Sequence, residues 1–136
     1  MTERYRVTVA AGSLSPAEGA VAQLPHRWTA GGVSVAADFT GAHLLHLAVA
    51  GCVLNDVYRE AEKLGIAVEG VRVEASGGYE PDTWRSTGIE YRVQVDTAAS
   101  PEQHRRLLAT VHAVAEIPRA VRAGAPVRRV AVPPAS

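Results

Sequence analysis

The chain has 136 residues, with 14 Lys and Arg against 14 Asp and Glu, so its formal net charge is zero. That balance excludes nucleic acid and anionic membrane as main partners, because both are held by clustered positive charge that displaces counterions. A hydrophobic fraction of 47% with 21% charged residues excludes disorder as a description of the whole, and a single domain over residues 1–136 is expected, burying roughly two-thirds of its unfolded surface. The lone cysteine, Cys52, excludes an intrachain disulfide and any multi-cysteine metal cluster, and suits a cytoplasmic address. The opening MTERYRVTVAAG alternates charged and apolar residues, unlike a signal peptide. The most apolar run, residues 44–54, is too short to span a bilayer and is followed at once by Asn55, Asp56 and Arg59.

Residues 5–9 read as a strand, with Tyr5, Val7 and Val9 on one face and Arg6 and Thr8 on the other. Beyond a turn-rich stretch with Ser13, Ser15 and Pro16, two short strands are expected at 20–24 and 33–37, with Gly31-Gly32 marking the hairpin turn between them. From Thr40 to Leu64 the pattern becomes helical, with Thr40 or Asp38 as N-cap and Gly65 at the left-handed C-terminal position. The first half of this helix, HLLHLAVAGCVL, is apolar almost all round, whereas the second keeps one stripe through Val57, Tyr58, Ala61 and Leu64. An all-round apolar helix must be covered on every side, which hints at a subunit interface.

Residues 66–75 are expected as a strand with a bulge at Gly70, then a turn through Gly77-Gly78 and 80–82. Residues 87–96 show the cleanest alternation, Ile89, Tyr91, Val93 and Val95 in, Glu90, Arg92, Gln94 and Asp96 out, and the two strands make an antiparallel hairpin. Ser100-Pro101-Glu102 opens a second helix with Leu107, Leu108, Val111 and Val114 at 3.6 spacing, ending near Ala115 or Glu116. A short helix at 119–123, stopped by Gly124, precedes a last strand at 127–132. The order is β-β-β-α-β-β-α-β, an α+β fold.

Cys52 has two readings: a small buried hydrophobe, or a redox thiol, which needs a nearby cation and access to solvent. On a helical wheel it shares a face with Leu45, Ala48, Val49, Asp56 and Arg59. Asp56 one turn away raises the thiol pKa, and Arg59 stands too far along the helix to cancel it, so a useful cation comes from another segment or another chain. Arg27, in the loop before Gly31-Gly32, is nominated. His43 and His46 are three apart, but no carboxylate completes a triad with them, so no metal site is expected. His104 and His112 read as surface residues of the second helix. No phosphate loop, nucleophile elbow or paired-carboxylate signature is present, and no cofactor is expected.

The run 39–77, FTGAHLLHLAVAGCVLNDVYREAEKLGIAVEGVRVEASG, resembles the OsmC/Ohr family of osmotically induced and organic-hydroperoxide-resistance proteins. The matching features are Ala50-Gly51-Cys52, the helix exit from Ala61 to Ile66, and the Val68-Glu69-Gly70-Val71-Arg72-Val73 strand. Residues 114–119 and 125–127 are similar to its second motif, in which Cys-Pro precedes a short helix and a Gly-x-Pro-Val strand. The resemblance implies an OsmC-like intertwined homodimer with its site at the subunit interface. It also implies a reactive thiolate at Cys52, an activating Arg and Glu, and a resolving cysteine. Here the resolving position is Ile117 and the Glu position falls at or beside Ala42, so neither can act as in the family.

The expectation is therefore a stress-response, antioxidant peroxidase working through Cys52 alone. It would reduce organic hydroperoxides and be regenerated by an external thiol, with Leu45, Ala48 and Val49 as the apolar wall of the ligand site. The alternative is a non-catalytic homodimer of the same fold that binds a small hydrophobic ligand at its interface.

Overall fold

The computed structural model describes residues 3–133. In chain order the elements are β1 (Tyr5–Gly12), β2 (Ala22–Leu24), β3 (Val33–Ala36), α1 (Gly41–Leu64), β4 (Gly70–Tyr79), β5 (Ser86–Asp96), α2 (Pro101–Val114) and α3 (Glu116–Ala123). The strands form one five-stranded sheet, β2-β3-β1-β4-β5, in which every neighbouring pair is antiparallel. The chain is thus α+β, as its alternating and helical periodicities imply.

The register of β1 on β4 sets Val7 opposite Ala75, Val9 opposite Val73 and Ala11 opposite Val71. These pairs form one apolar face, against which α1 lays Val53, Leu54, Val57 and Ala61, and α2 adds Leu107 and Val111. Each such side chain contributes on the order of 1.5–3 kcal/mol by leaving water.

Helix α1 starts where the Thr40 hydroxyl accepts the backbone N–H of His43 at 3.1 Å. It ends where Gly65 turns left-handed at φ 70, with the Ile66 N–H returning to the Ala61 carbonyl at 2.8 Å. Helix α2 begins with a reciprocal capping box between Ser100 and Gln103, with Pro101 in the first turn.

Five expectations are corrected. Strand β4 begins at Gly70, because Gly65 and Ile66 are still closing α1, so the apparent shift at Gly70 is a strand start and not a bulge. Gly77 and Gly78 lie inside β4 and not in the turn; a Cβ at Gly77 would clash with both the Gly88 carbonyl oxygen and Nε2 of His46. The glycine is there for close approach, and the register irregularity falls between Gly77 and Tyr79. Helix α3 starts at Glu116, earlier than expected, because Pro118 falls in its first turn, where a missing N–H has no helical partner to lose. Residues 127–132 form no strand; Val127 is 98% exposed and Val132 84%, so their alternation finds no sheet edge within this chain. The Gly31-Gly32 pair ends a longer 25–32 loop that joins the paired residues Leu24 and Val33.

Candidate functional site

Cys52 sits in mid-α1, too far from either end to feel the helix dipole, and is half-buried. Two carboxylates face its sulfur: Oδ2 of Asp56, one turn on, at 3.9 Å, and Oε2 of Glu116, from the start of α3, at 3.7 Å. A thiol S–H donates to either. Arg59 binds these same carboxylates, with Nη2 3.2 Å from Asp56 and Nη1 3.0 Å from Glu116, while its Nε lies 3.2 Å from Glu60. Lys63 adds a second cation to Glu60 at 3.1 Å. Asp56 and Glu60 are buried on the helix face turned toward the rest of the molecule, so their charges need these partners.

The entry of α3 completes the surroundings of the thiol. Its N-cap, Ala115, offers no side-chain oxygen to the free N–H groups of the first turn. The backbone N–H of Ile117, and then that of Glu116, act on the sulfur and favour thiolate. Burial outweighs them, and the Asp56 and Glu116 charges add to it, so the Cys52 thiol is pushed above its ordinary value. Burial likewise raises Asp56 against the pull of Arg59, whereas Glu116 is held below the usual carboxylate range by its own backbone N–H and by Arg59.

The expected site residues are brought together only in part. Asp56 is beside Cys52 as the helical wheel requires, and Arg59 reaches the carboxylates that flank the sulfur. Val49 is buried, Leu45 half-buried and Ala48 exposed, so the three do not form one wall. Arg27 lies elsewhere: its guanidinium sits 5.7 Å from the Trp28 ring centroid, and it lines a cavity of about 280 Å³ with Leu47, Gly51 and Asn55 of α1. The groups acting on the thiol are Asp56, Glu116 and Ile117, not Arg27.

Ile117, the position of the family's resolving cysteine, is within backbone hydrogen-bonding reach of Cys52. Ala42, at the activating-glutamate position, offers only its carbonyl, which accepts from Nδ1 of the fully buried His46 at 2.7 Å. His43 is held to Thr40 at the helix start. Glu116 is the functional neighbour that sequence reasoning missed; its place directly before Ile117 was the available signal.

Among the described residues, Cys52, Asp56 and Glu116 have ligand atoms within 4.8 Å of one another, a spacing a metal ion can bridge. The Arg59 guanidinium already supplies positive charge to both carboxylates, which leaves this donor set poorly suited to a second cation. No helix of the described residues is long and apolar enough to cross a membrane.

A half-exposed thiol on a long central helix, backed by a five-stranded antiparallel sheet, defines the class. Residues 34–129 match the family model described as OsmC-like protein, and the chain belongs to that family. Its fold is similar to that of an OsmC-like hydroperoxide resistance protein from Jannaschia sp. CCS1, at 10% identity over 95% of this chain and 94% of that one, TM-score 0.61. It is also similar to an OsmC-like protein from Mycoplasma pneumoniae, at 13% identity and TM-score 0.58, the match covering 64% of each chain. No curated protein matches the chain.

Proposed function

We propose that this OsmC-family protein reduces organic hydroperoxides through Cys52 as part of a stress response. The observation that carries the reading is the Cys52–Glu116–Arg59 arrangement. A half-exposed sulfur lies 3.7 Å from a carboxylate that is itself held by a guanidinium at 3.0 Å, at a helix start with free backbone N–H groups. The Cys52 thiolate attacks the distal peroxide oxygen, the O–O bond breaks, and the alkoxide leaves with a proton to give an alcohol and a Cys52 sulfenic acid. Glu116 is placed to take the thiol proton and return it to the leaving oxygen. One external thiol condenses with the sulfenic acid, releasing water, and a second reduces the mixed disulfide, since the chain holds a single cysteine.

The working unit in this reading is a homodimer. Support comes from apolar surface left uncovered on three parts of the chain: Leu44 on α1, Leu24 on the edge strand β2, and Val127 and Val130 beyond α3. A lone free thiol suits a reducing, cytoplasmic location.

A second reading, a non-catalytic dimer that binds a small hydrophobic ligand, is favoured by the raised pKa of Cys52. The two separate on one experiment: intact-protein mass after stoichiometric cumene hydroperoxide with a sulfenate trap. Trapped adduct on Cys52, lost in Cys52→Ser, supports the peroxidase. Absence of adduct after a prolonged incubation leaves the binder.

A further inference from the structure

A cavity of about 410 Å³ opens between β5, α2 and α3, on the side of α1 that carries Val49. Its walls are apolar: Val49, Ile89, Pro118 and Val121. Its polar groups gather from three other places, Tyr91 on β5, His112 on α2 and Arg122 on α3. The Tyr91 hydroxyl meets Nδ1 of His112 at 2.5 Å. With the phenol as donor, the imidazole proton resides on Nε2, which is then free to donate. Arg122 makes no ion pair among the described residues. The arrangement is a guanidinium without an ion-pair partner close to the Tyr91–His112 pair, and hydrocarbon from Val49, Ile89, Pro118 and Val121 along the rest.

We propose that this cavity binds a small organic monoanion, a carboxylate on an aromatic or branched apolar body, with Arg122 and His112 taking the carboxylate and Val49, Ile89, Pro118 and Val121 the body. A single guanidinium matches one negative charge, and its planar fork fits a carboxylate in two parallel hydrogen bonds. The volume lies within the range of small-molecule sites, and the balance of apolar wall to few converging polar groups is that of a site with orientation built in. This goes beyond the thiol chemistry and does not rest on it, although Val49 lies one turn before Cys52, so an occupant would sit beside the sulfur.

The test is a heteronuclear NMR titration of the full chain with 4-phenylbutyrate, and in parallel with the neutral 4-phenylbutan-1-ol. The site requires carboxylate-dependent shifts centred on Ile89, Tyr91 and Val121, and tighter binding of the acid than of the alcohol. Arg122→Gln should weaken the acid by about tenfold and leave the alcohol unchanged. Arg119→Gln, an exposed charge on the same helix that does not line the cavity, should change neither. Cys52→Ser should bind the acid as the parent does, which separates this site from the peroxidase reading. Equal affinity for acid and alcohol, equal weakening by the two arginine variants, shifts centred elsewhere, or no shifts up to about 10 mM acid would each overturn it.

Discussion

The two halves of α1 bury themselves by different means. From Val53 onward the helix is complete within its own chain: Val53, Leu54, Val57 and Ala61 face the sheet and α2, and the buried Asp56 and Glu60 are neutralised by Arg59 and Lys63. Before Cys52 the helix is more apolar yet less covered. His46, Val49 and Ala50 are buried while Leu44 and Ala48 face outward. A hydrophobic residue is therefore not a buried one by type alone; what covers it decides, and here the chain covers only one side. Cys52 stands at the junction, half-buried, with carboxylates on one side and hydrocarbon on the other.

The largest expected effect tests the completed half. Leu54→Ala should destabilise the fold by about 2–5 kcal/mol in urea unfolding, because Leu54 is 1% exposed and its neighbours cannot collapse onto the void. The matched change in the open half, Leu44→Ser, should stay within about 0.5 kcal/mol for the isolated chain and act on association instead, read by sedimentation. Equal losses at the two positions would break the comparison.

Gly77→Ala tests how tightly the open half is held to the sheet. The added methyl meets the Gly88 carbonyl and His46, and should cost about 1–3 kcal/mol by thermal unfolding. Next comes Arg59→Gln, which leaves Asp56 and Glu60 buried with less compensation. Because Arg59 is itself a third exposed, the loss should be about 1–2 kcal/mol, below that of a fully buried pair. Its sign with pH follows from Asp56, whose folded pKa is already raised by burial and loses the opposing pull of the guanidinium. The deficit should be full above the variant's still higher value, fade as pH falls from there toward the parent's raised value, and be gone below it, where both folded proteins hold the proton.

The smallest effect sharpens the role of the thiol's neighbours. Alkylation of Cys52 should follow a midpoint above the ordinary thiol value, its rate climbing as pH rises. Glu116→Gln removes one of the charges that raise it and frees Arg59 from one partner, so the midpoint should move down, with stability nearly unchanged because Glu116 is exposed. A midpoint that stays put would mean burial alone sets the thiol.

Much of the fold was legible because it rests on local signals. Thr40, Gly65, Ser100 and Pro101 mark helix ends by their own chemistry, and the alternation of residues 87–96 needs no partner to be read. The errors cluster where a residue answers to something distant. Gly77 looks like a turn glycine until His46 and the Gly88 carbonyl are seen against it. The valines at 127, 130 and 132 have strand periodicity but no sheet edge to pair with in this chain. At the site, Cys52 and Asp56 were readable from helical spacing. Glu116 was not, because helical spacing on α1 says nothing of α3; only the family resemblance, which sets Ile117 at the resolving position, pointed to the start of α3.

The sequence by itself determined the class of fold, the family pattern around Ala50-Gly51-Cys52, and the limit of one thiol, since periodicity, capping and residue counts are properties of the chain alone. Only the tertiary structure decided the electrostatics of that thiol: which carboxylates face it, that Arg59 is already engaged by them, and that Arg27 stands at a different cavity. The reason is physical. A pKa and a pocket are sums over neighbours in space, and in this molecule the neighbours that matter come from α3, β5 and the 25–32 loop, segments far apart along the chain.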